Sequence, residues 1–168
     1  MTDFKTITPE ELTNNPFKMI GSEWMLIAAE KEGKINAMTA SWGGLGILWN
    51  KPVAFAFIRQ TRYTKEFVDA NTHFTLNFFE GDFKKEMSYL GKVSGRDEDK
   101  IRTTGMEVSL QEGLPIFDAA KKVIVCKKLY VQKLDENCFI DKKILEQCYS
   151  RDSMHSLYIG EIEKILAR

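Results

Sequence analysis

The sequence predicts an α+β protein, mainly β, in which antiparallel strands form a barrel and short helices are set between them. Three observations lead there. Apolar runs at residues 24–30 and 53–58 have the length of strands rather than helices. Residues 73–79 (His-Phe-Thr-Leu-Asn-Phe-Phe) alternate apolar and polar side chains with the period of two that a strand imposes. The strand–helix–strand pieces do not recur regularly enough for a doubly wound sheet.

Taken in order, Thr8-Pro-Glu-Glu-Leu carries the marks of a short capped helix, with proline in its first turn and acids behind it. The compact run at 24–30 is the next strand, and Lys31-Glu-Gly is a hairpin turn into a strand over 37–42. Residues 43–46 (Gly-Gly-Leu-Gly) form a glycine-rich corner. Residues 53–58 (Val-Ala-Phe-Ala-Phe-Ile) are apolar on both faces and read as a central strand. A helix follows over 63–71, with Tyr63, Phe67 and Ala70 on one side. In the 73–79 strand, Phe74, Leu76 and Phe78 face the core, while His73, Thr75 and Asn77 face away. Residues 82–90 are helical, and the polar loop at 92–97 leads into a short helix that Gly105 stops. A long strand over 123–132 and a mixed segment around 140–149 precede the last strand, 157–163. There the alternation slips phase at Gly160, which predicts a β-bulge that helps the sheet curl.

At 168 residues the chain fits one domain. Its 24 basic and 24 acidic residues are interspersed, which excludes the clustered basic footprint of a nucleic-acid binder. No run approaches the roughly 18 apolar residues that span a bilayer, so no membrane association is expected. The first residues have no signal-peptide pattern, and a cytoplasmic location is the expectation. The three cysteines, Cys126, Cys138 and Cys148, form neither a Cys-x-x-Cys pair nor an even disulfide set. With only two histidines, His73 and His155, they match no structural zinc pattern, and no metal site is expected. No spacing supports a hydrolytic triad.

The chemistry concentrates in residues 36–64. A strand of small and hydroxylated residues, Thr39, Ala40 and Ser41 followed by Trp42, leaves backbone open to a planar polar ring. Residues 43–46 are either a tight strand connection or a point of close ligand approach, and they match no dinucleotide or P-loop fingerprint. Arg59, Arg62, Tyr63 and Thr64 stand at the head of a helix, where positive charge and free N–H groups suit a phosphate. The alternative there is a solvated, threonine-capped helix start. In the 92–97 loop, Ser94 either caps the next helix with Asp97 or joins Lys92 and the loop's backbone N–H groups in contacting a phosphate or ribityl chain. His155 is either a proton donor near a reaction site or a surface or satisfied structural residue.

Together, residues 36–42, 48–53, 59–67, 92–100 and 155–162 resemble the flavin reductase-like, FMN-binding split-barrel family, and its flavoredoxin-type members in particular. The resemblance spans roughly residues 17–166 and implies that residues 1–168 are one domain. It implies a six-stranded antiparallel split β-barrel of Greek-key type with short peripheral helices. It also implies a homodimer that holds FMN in a groove at the subunit interface. Thr39, Ala40, Ser41 and Trp42 would lie along the isoalloxazine. Arg59, Tyr63 and Thr64 would hold the phosphate end with Lys92, Ser94 and Gly95. His155 would approach the ring as the one weak candidate for a catalytic side chain. The implied function is FMN-dependent oxidoreduction: an NADH- or NADPH-dependent flavin reductase, or a flavoredoxin-like electron carrier with a redox protein partner. The alternative on the same barrel is a non-catalytic module for FMN or another phosphate ligand.

Overall fold

A computed structural model describes residues 4–168. Its principal sheet is entirely antiparallel. In chain order its strands are β1 (Lys5–Ile7), β2 (Met25–Lys31), β3 (Lys34–Ala40), β4 (Gly43–Leu48), β5 (Lys51–Arg59), β6 (His73–Phe78), β9 (Lys122–Lys133) and β10 (His155–Ala167). The path across the sheet is β3-β2-β6-β9-β10-β5-β4, with β1 paired to the far half of β10. A separate hairpin, β7 (Val108–Gln111) with β8 (Leu114–Phe117), lies outside the sheet. The steps from β2 to β6 and from β10 to β5 join strands far apart in sequence, as a Greek-key arrangement requires.

The path has seven strands where six were expected. The difference is the glycine stretch, which forms strand β4 and pairs with β5 from Gly43↔Ala56 to Leu48↔Lys51. The reversal of the chain comes later, at Trp49 and Asn50, both with positive φ (53° and 57°), the signature of a type I′ hairpin turn. Gly43 is required by crowding: a Cβ there would lie 2.7 Å from the Phe55 carbonyl oxygen. β3 and β4 are consecutive in sequence yet do not pair. They are the two ends of the path, and the barrel is split between them.

Two apolar cores follow from strands that bury both faces. Ile27 and Ala29 of β2, Phe74 and Leu76 of β6, Ile58 of β5 and Tyr158 of β10 fill the interior. Leu26 and Ala28 point the other way, into a second core under Leu90, Ile101 and Phe117. That second core also accounts for β6, whose polar face points away from the first core as expected. Thr75 and Asn77 are fully buried, because the β7–β8 hairpin covers them. Each is satisfied there: the Thr75 hydroxyl donates to the Pro115 carbonyl at 2.7 Å, and Asn77 accepts from the Phe117 N–H at 3.1 Å.

Three helices carry the site. Helix α1 (Tyr63–Ala70) crosses between β5 and β6 and buries Thr64, Phe67 and Val68, whereas Ala70, expected on its inner side, is exposed. Helix α2 (Lys84–Lys92) presses Gly91 against Thr39 of β3. Helix α3 (Lys100–Thr104) stops at Gly105 as predicted, but its N-cap is Asp99, whose carboxylate accepts from the Arg102 N–H at 3.2 Å. Ser94 therefore does not cap it and instead accepts from the Arg96 N–H within its own loop. Helix α4 (Lys143–Tyr149) lies in the long connection from β9 to β10. The bulge expected at Gly160 is present, as a register shift between Ile159 and Gly160 against β9.

Candidate functional site

At the split, the end of β3, the end of β5 and the start of β10 converge on a cavity of about 160 Å³. Thr39, Ala40, Ser41 and Trp42 form one side of it, and Phe57, Arg59 and His155 the other. The chain leaves the sheet at Ala40, so backbone and side chains of both faces reach the cavity. The Thr39 hydroxyl donates to the Met87 carbonyl and fixes this end of β3 to α2.

His155 is 7% exposed and packed on three sides. Trp42 lies 5.1 Å away between ring centroids, Tyr149 5.6 Å and Phe57 6.4 Å. The Tyr149 hydroxyl is 2.8 Å from His155 Nδ1. Burial lowers the imidazole pKa to about 4, and the Arg59 and Arg62 cations add to this against the opposing pull of Asp152. His155 is thus a neutral ring at pH 7.

Arg59 is engaged before any ligand arrives. Its nitrogens donate to the Ser153 carbonyl at 2.7 Å and the Cys148 carbonyl at 3.0 Å, and its Nε pairs with Asp152 at 3.3 Å. The Tyr149 ring lies 5.2 Å under the guanidinium. This arginine fastens the α4 connection beside the first cavity and does not border the next one.

The second cavity, about 380 Å³, meets the first at Met38 and Arg62. Tyr63, Thr64, Lys92, Ser94 and Lys100 border it. The Arg62 guanidinium donates to the Gly91 carbonyl at 2.6 Å. Lys100 is 4% exposed, and its ammonium donates to the Leu90 and Val93 carbonyls at the end of α2. Burial lowers its pKa to about 8, and repulsion from Arg62 adds to the effect. Among the described residues, no carboxylate lies within ion-pair distance of Arg62, Lys92 or Lys100. The one acid on this cavity, Asp152, is paired with Arg59. Thr64 is buried and accepts from Asn36 Nδ2 at 2.8 Å.

Gly95 stands apart from Lys92 and Ser94. It borders a third cavity and is pressed so closely on Asn36 that a Cβ would come within 2.3 Å of its Oδ1. The residues singled out from sequence therefore gather at two adjoining cavities, with Gly95 beyond them. Phe57, Tyr149 and Lys100 were missed. The first two reveal themselves only through contacts far apart in sequence, and Lys100 follows Arg-Asp-Glu-Asp, a run that reads as solvated charge.

A family model described as the flavin reductase like domain matches residues 17–168. The chain belongs to the flavin reductase-like family. No curated relative matches it. Among solved structures, flavoredoxin from Methanosarcina acetivorans superposes with a TM-score of 0.68 at 22% identity, over 87% of this chain and 68% of that one. An FMN-binding domain of a flavin reductases-like enzyme from Shewanella baltica OS155 gives 0.71 at 17% identity, over 99% and 78%. Flavoredoxin of Desulfovibrio vulgaris (Miyazaki F) gives 0.67 at 18% identity, over 98% and 76%. At these identities the superpositions speak for the fold of the flavin reductase-like chain.

Proposed function

We propose that this flavin reductase-like chain binds FMN across the first two cavities and works as a flavin-dependent oxidoreductase with NADH or NADPH as donor. The carrying observation is the second cavity, where Arg62 and Lys100 hold positive charge, both without a carboxylate partner among the described residues. Lys100 is buried and Arg62 half-buried, and positive charge withdrawn from water in this way is costly unless something neutralises it, as a phosphate dianion does. Lys92 and the Thr64 backbone at the head of α1 add to the same field. In this reading Arg62, which borders the second cavity, takes the phosphate instead of Arg59, which does not border it. The first cavity takes the ring: Ser41 and Trp42 offer backbone polar groups, and Phe57 and the neutral His155 offer flat apolar surface. When bound, the flavin supplies the electron-transfer chemistry, and the acceptor is a free flavin or a redox protein. The chain's own contribution is to orient the ring and to place an uncharged imidazole, fixed by Tyr149, beside it.

The expected homodimer has a surface suited to it. Phe17 is 87% exposed, Ile47 72% and Trp49 54%, and they flank the free edge of β4. An apolar cavity of about 420 Å³ lined by Phe17, Ile20, Trp42 and Leu45 adjoins the ring cavity through Ser41 and Trp42. A second copy seated there closes the ring end of the groove.

The first test is the visible spectrum of the purified protein, before and after anaerobic NADH and NADPH. A flavin band that bleaches with either nucleotide supports the reading, and failure to take up added FMN overturns it. Arg62→Ala provides the second test. It should weaken FMN by about tenfold or more while riboflavin, which lacks the phosphate, changes little. Equal losses for both ligands would remove Arg62 from the phosphate site.

A further inference from the structure

We infer that Tyr149 is a positioning residue for the ring cavity: its hydroxyl sets which nitrogen of His155 carries the proton, so that the imidazole presents an Nε2–H donor to the bound ring. The inference rests on the flavin reading above and adds to it a residue and a direction of hydrogen bonding.

A proton count decides the direction. The Tyr149 hydroxyl and His155 Nδ1 lie 2.8 Å apart, and one hydrogen joins them. Burial raises the Tyr149 pKa above its ordinary value, so the phenol keeps its proton at pH 7, where the imidazole is neutral. In one arrangement the O–H donates to Nδ1 and the imidazole proton sits on Nε2. In the other, Nδ1–H donates to the phenol oxygen, and the phenol proton needs a further acceptor. Among the described residues the hydroxyl has no other hydrogen-bond partner, so only the first arrangement gives that proton an acceptor in the protein. The Arg59 guanidinium acts in the same direction. It lies 5.2 Å from the centre of the Tyr149 ring, where a cation draws electron density from the phenol and makes its hydroxyl a better donor and a poorer acceptor.

Nε2 is then a donor with no protein acceptor among the described residues, on a buried side chain that borders the ring cavity. A buried N–H left unpaired is costly, and the carbonyl and imine atoms at the edge of a flavin ring are acceptors. Trp42 and Phe57 pack against the imidazole and restrict its rotation. Tyr149 itself is placed by Arg59 rather than by an apolar core, because α4 buries none of its residues. Arg59 binds the Cys148 carbonyl on one side of Tyr149 and the Ser153 carbonyl on the other. This arginine therefore also acts on the ring cavity through Tyr149.

The experiment is long-range proton–nitrogen NMR of the labelled imidazoles in the full chain at pH 7, before and after FMN. The chain has only two histidines, so His73 is the internal reference. Ligand-free wild type should show His155 protonated at Nε2 alone, whereas Tyr149→Phe should move the Nδ1 signal and populate the second tautomer. Protonation at Nδ1 in wild type, or a His155 spectrum unchanged in Tyr149→Phe, overturns the proposal. Bound FMN should shift the Nε2–H proton. In fluorescence titrations Tyr149→Phe should weaken FMN and riboflavin alike, by about three- to tenfold, because the donor meets the ring rather than the phosphate. FMN that binds without moving the His155 signals, an unchanged affinity, or a loss confined to FMN overturns the proposal while leaving flavin binding standing. A wild-type chain that takes up neither flavin overturns the flavin reading and the donor role with it, and the ligand-free spectrum still decides the tautomer.

Discussion

His155 is where the chemistry of the site becomes measurable one residue at a time. Around it stand Arg59 from β5, Tyr149 from α4, Trp42 after β3, Asp152 from the connecting loop and Arg62 before α1. Burial and the two arginines keep its pKa near 4 rather than the ordinary 6.5. Between those values the unfolded chain binds a proton that the folded chain refuses, so stability falls as pH drops through that window and is level above it. The difference amounts to roughly 3 kcal/mol. His155→Gln should flatten this slope in urea unfolding measured at pH 5 and pH 7, and an unchanged slope would mean that His155 is not the group responsible. Lys100 behaves differently. Its lowered pKa of about 8 predicts that a phosphate ligand binds progressively less tightly as pH rises through that value, and Lys100→Met should abolish the dependence. Titrating FMN and riboflavin from pH 7 to pH 9 checks it, since only FMN should respond. At this scale sequence reasoning was informative about residue types and poor about direction. Arg59 and Arg62 sit three apart at the head of one helix, and nothing local reveals that one is bound to the α4 connection 89–94 residues away.

Elements were legible wherever a pattern of period two or a specific turn residue decided them. The alternation of β6, the Glu32-Gly33 turn and the phase slip in β10 are of that kind. β4 was not legible, because Gly-Gly-Leu-Gly has too few side chains to show alternation and its turn uses Trp49 and Asn50 instead of a glycine. The burial of the polar face of β6 was not legible for a different reason: its cover, the β7–β8 hairpin, comes some thirty residues later in the chain. Gly160 shows how closely an element's sequence is tied to packing. A Cβ there would lie 2.8 Å from Cys126 Cβ and 3.1 Å from the Phe74 ring, both fully buried. Gly160→Ala should therefore destabilise by about 1–3 kcal/mol through overpacking. Gly21→Ala, where nothing lies within 4 Å, is the control and should change little. Chemical denaturation of the pair decides it, and equal midpoints would show that the bulge yields to the extra methyl group.

For the molecule as a whole, the split between β3 and β4 leaves a free edge beside the proposed ring site, and the apolar surface around it is the part that one chain cannot cover alone. Ile47→Lys, at an exposed position on that edge, should break up the proposed dimer in sedimentation and weaken FMN by about tenfold or more. A monomer with undiminished FMN affinity would place the complete site within one chain. β10 has a consequence of another kind. It alone joins the β3-β2-β6-β9 half of the sheet to the β5-β4 half, and it also carries β1. On the ribosome, β4 and β5 emerge about a hundred residues before the strand that will tie them to β9. Their apolar faces must wait uncovered in the meantime, as expected for a topology rich in distant pairings. The two halves should thus stay mechanically independent during synthesis, and the pulling force on a nascent chain should rise only once His155–Ala167 has cleared the exit tunnel.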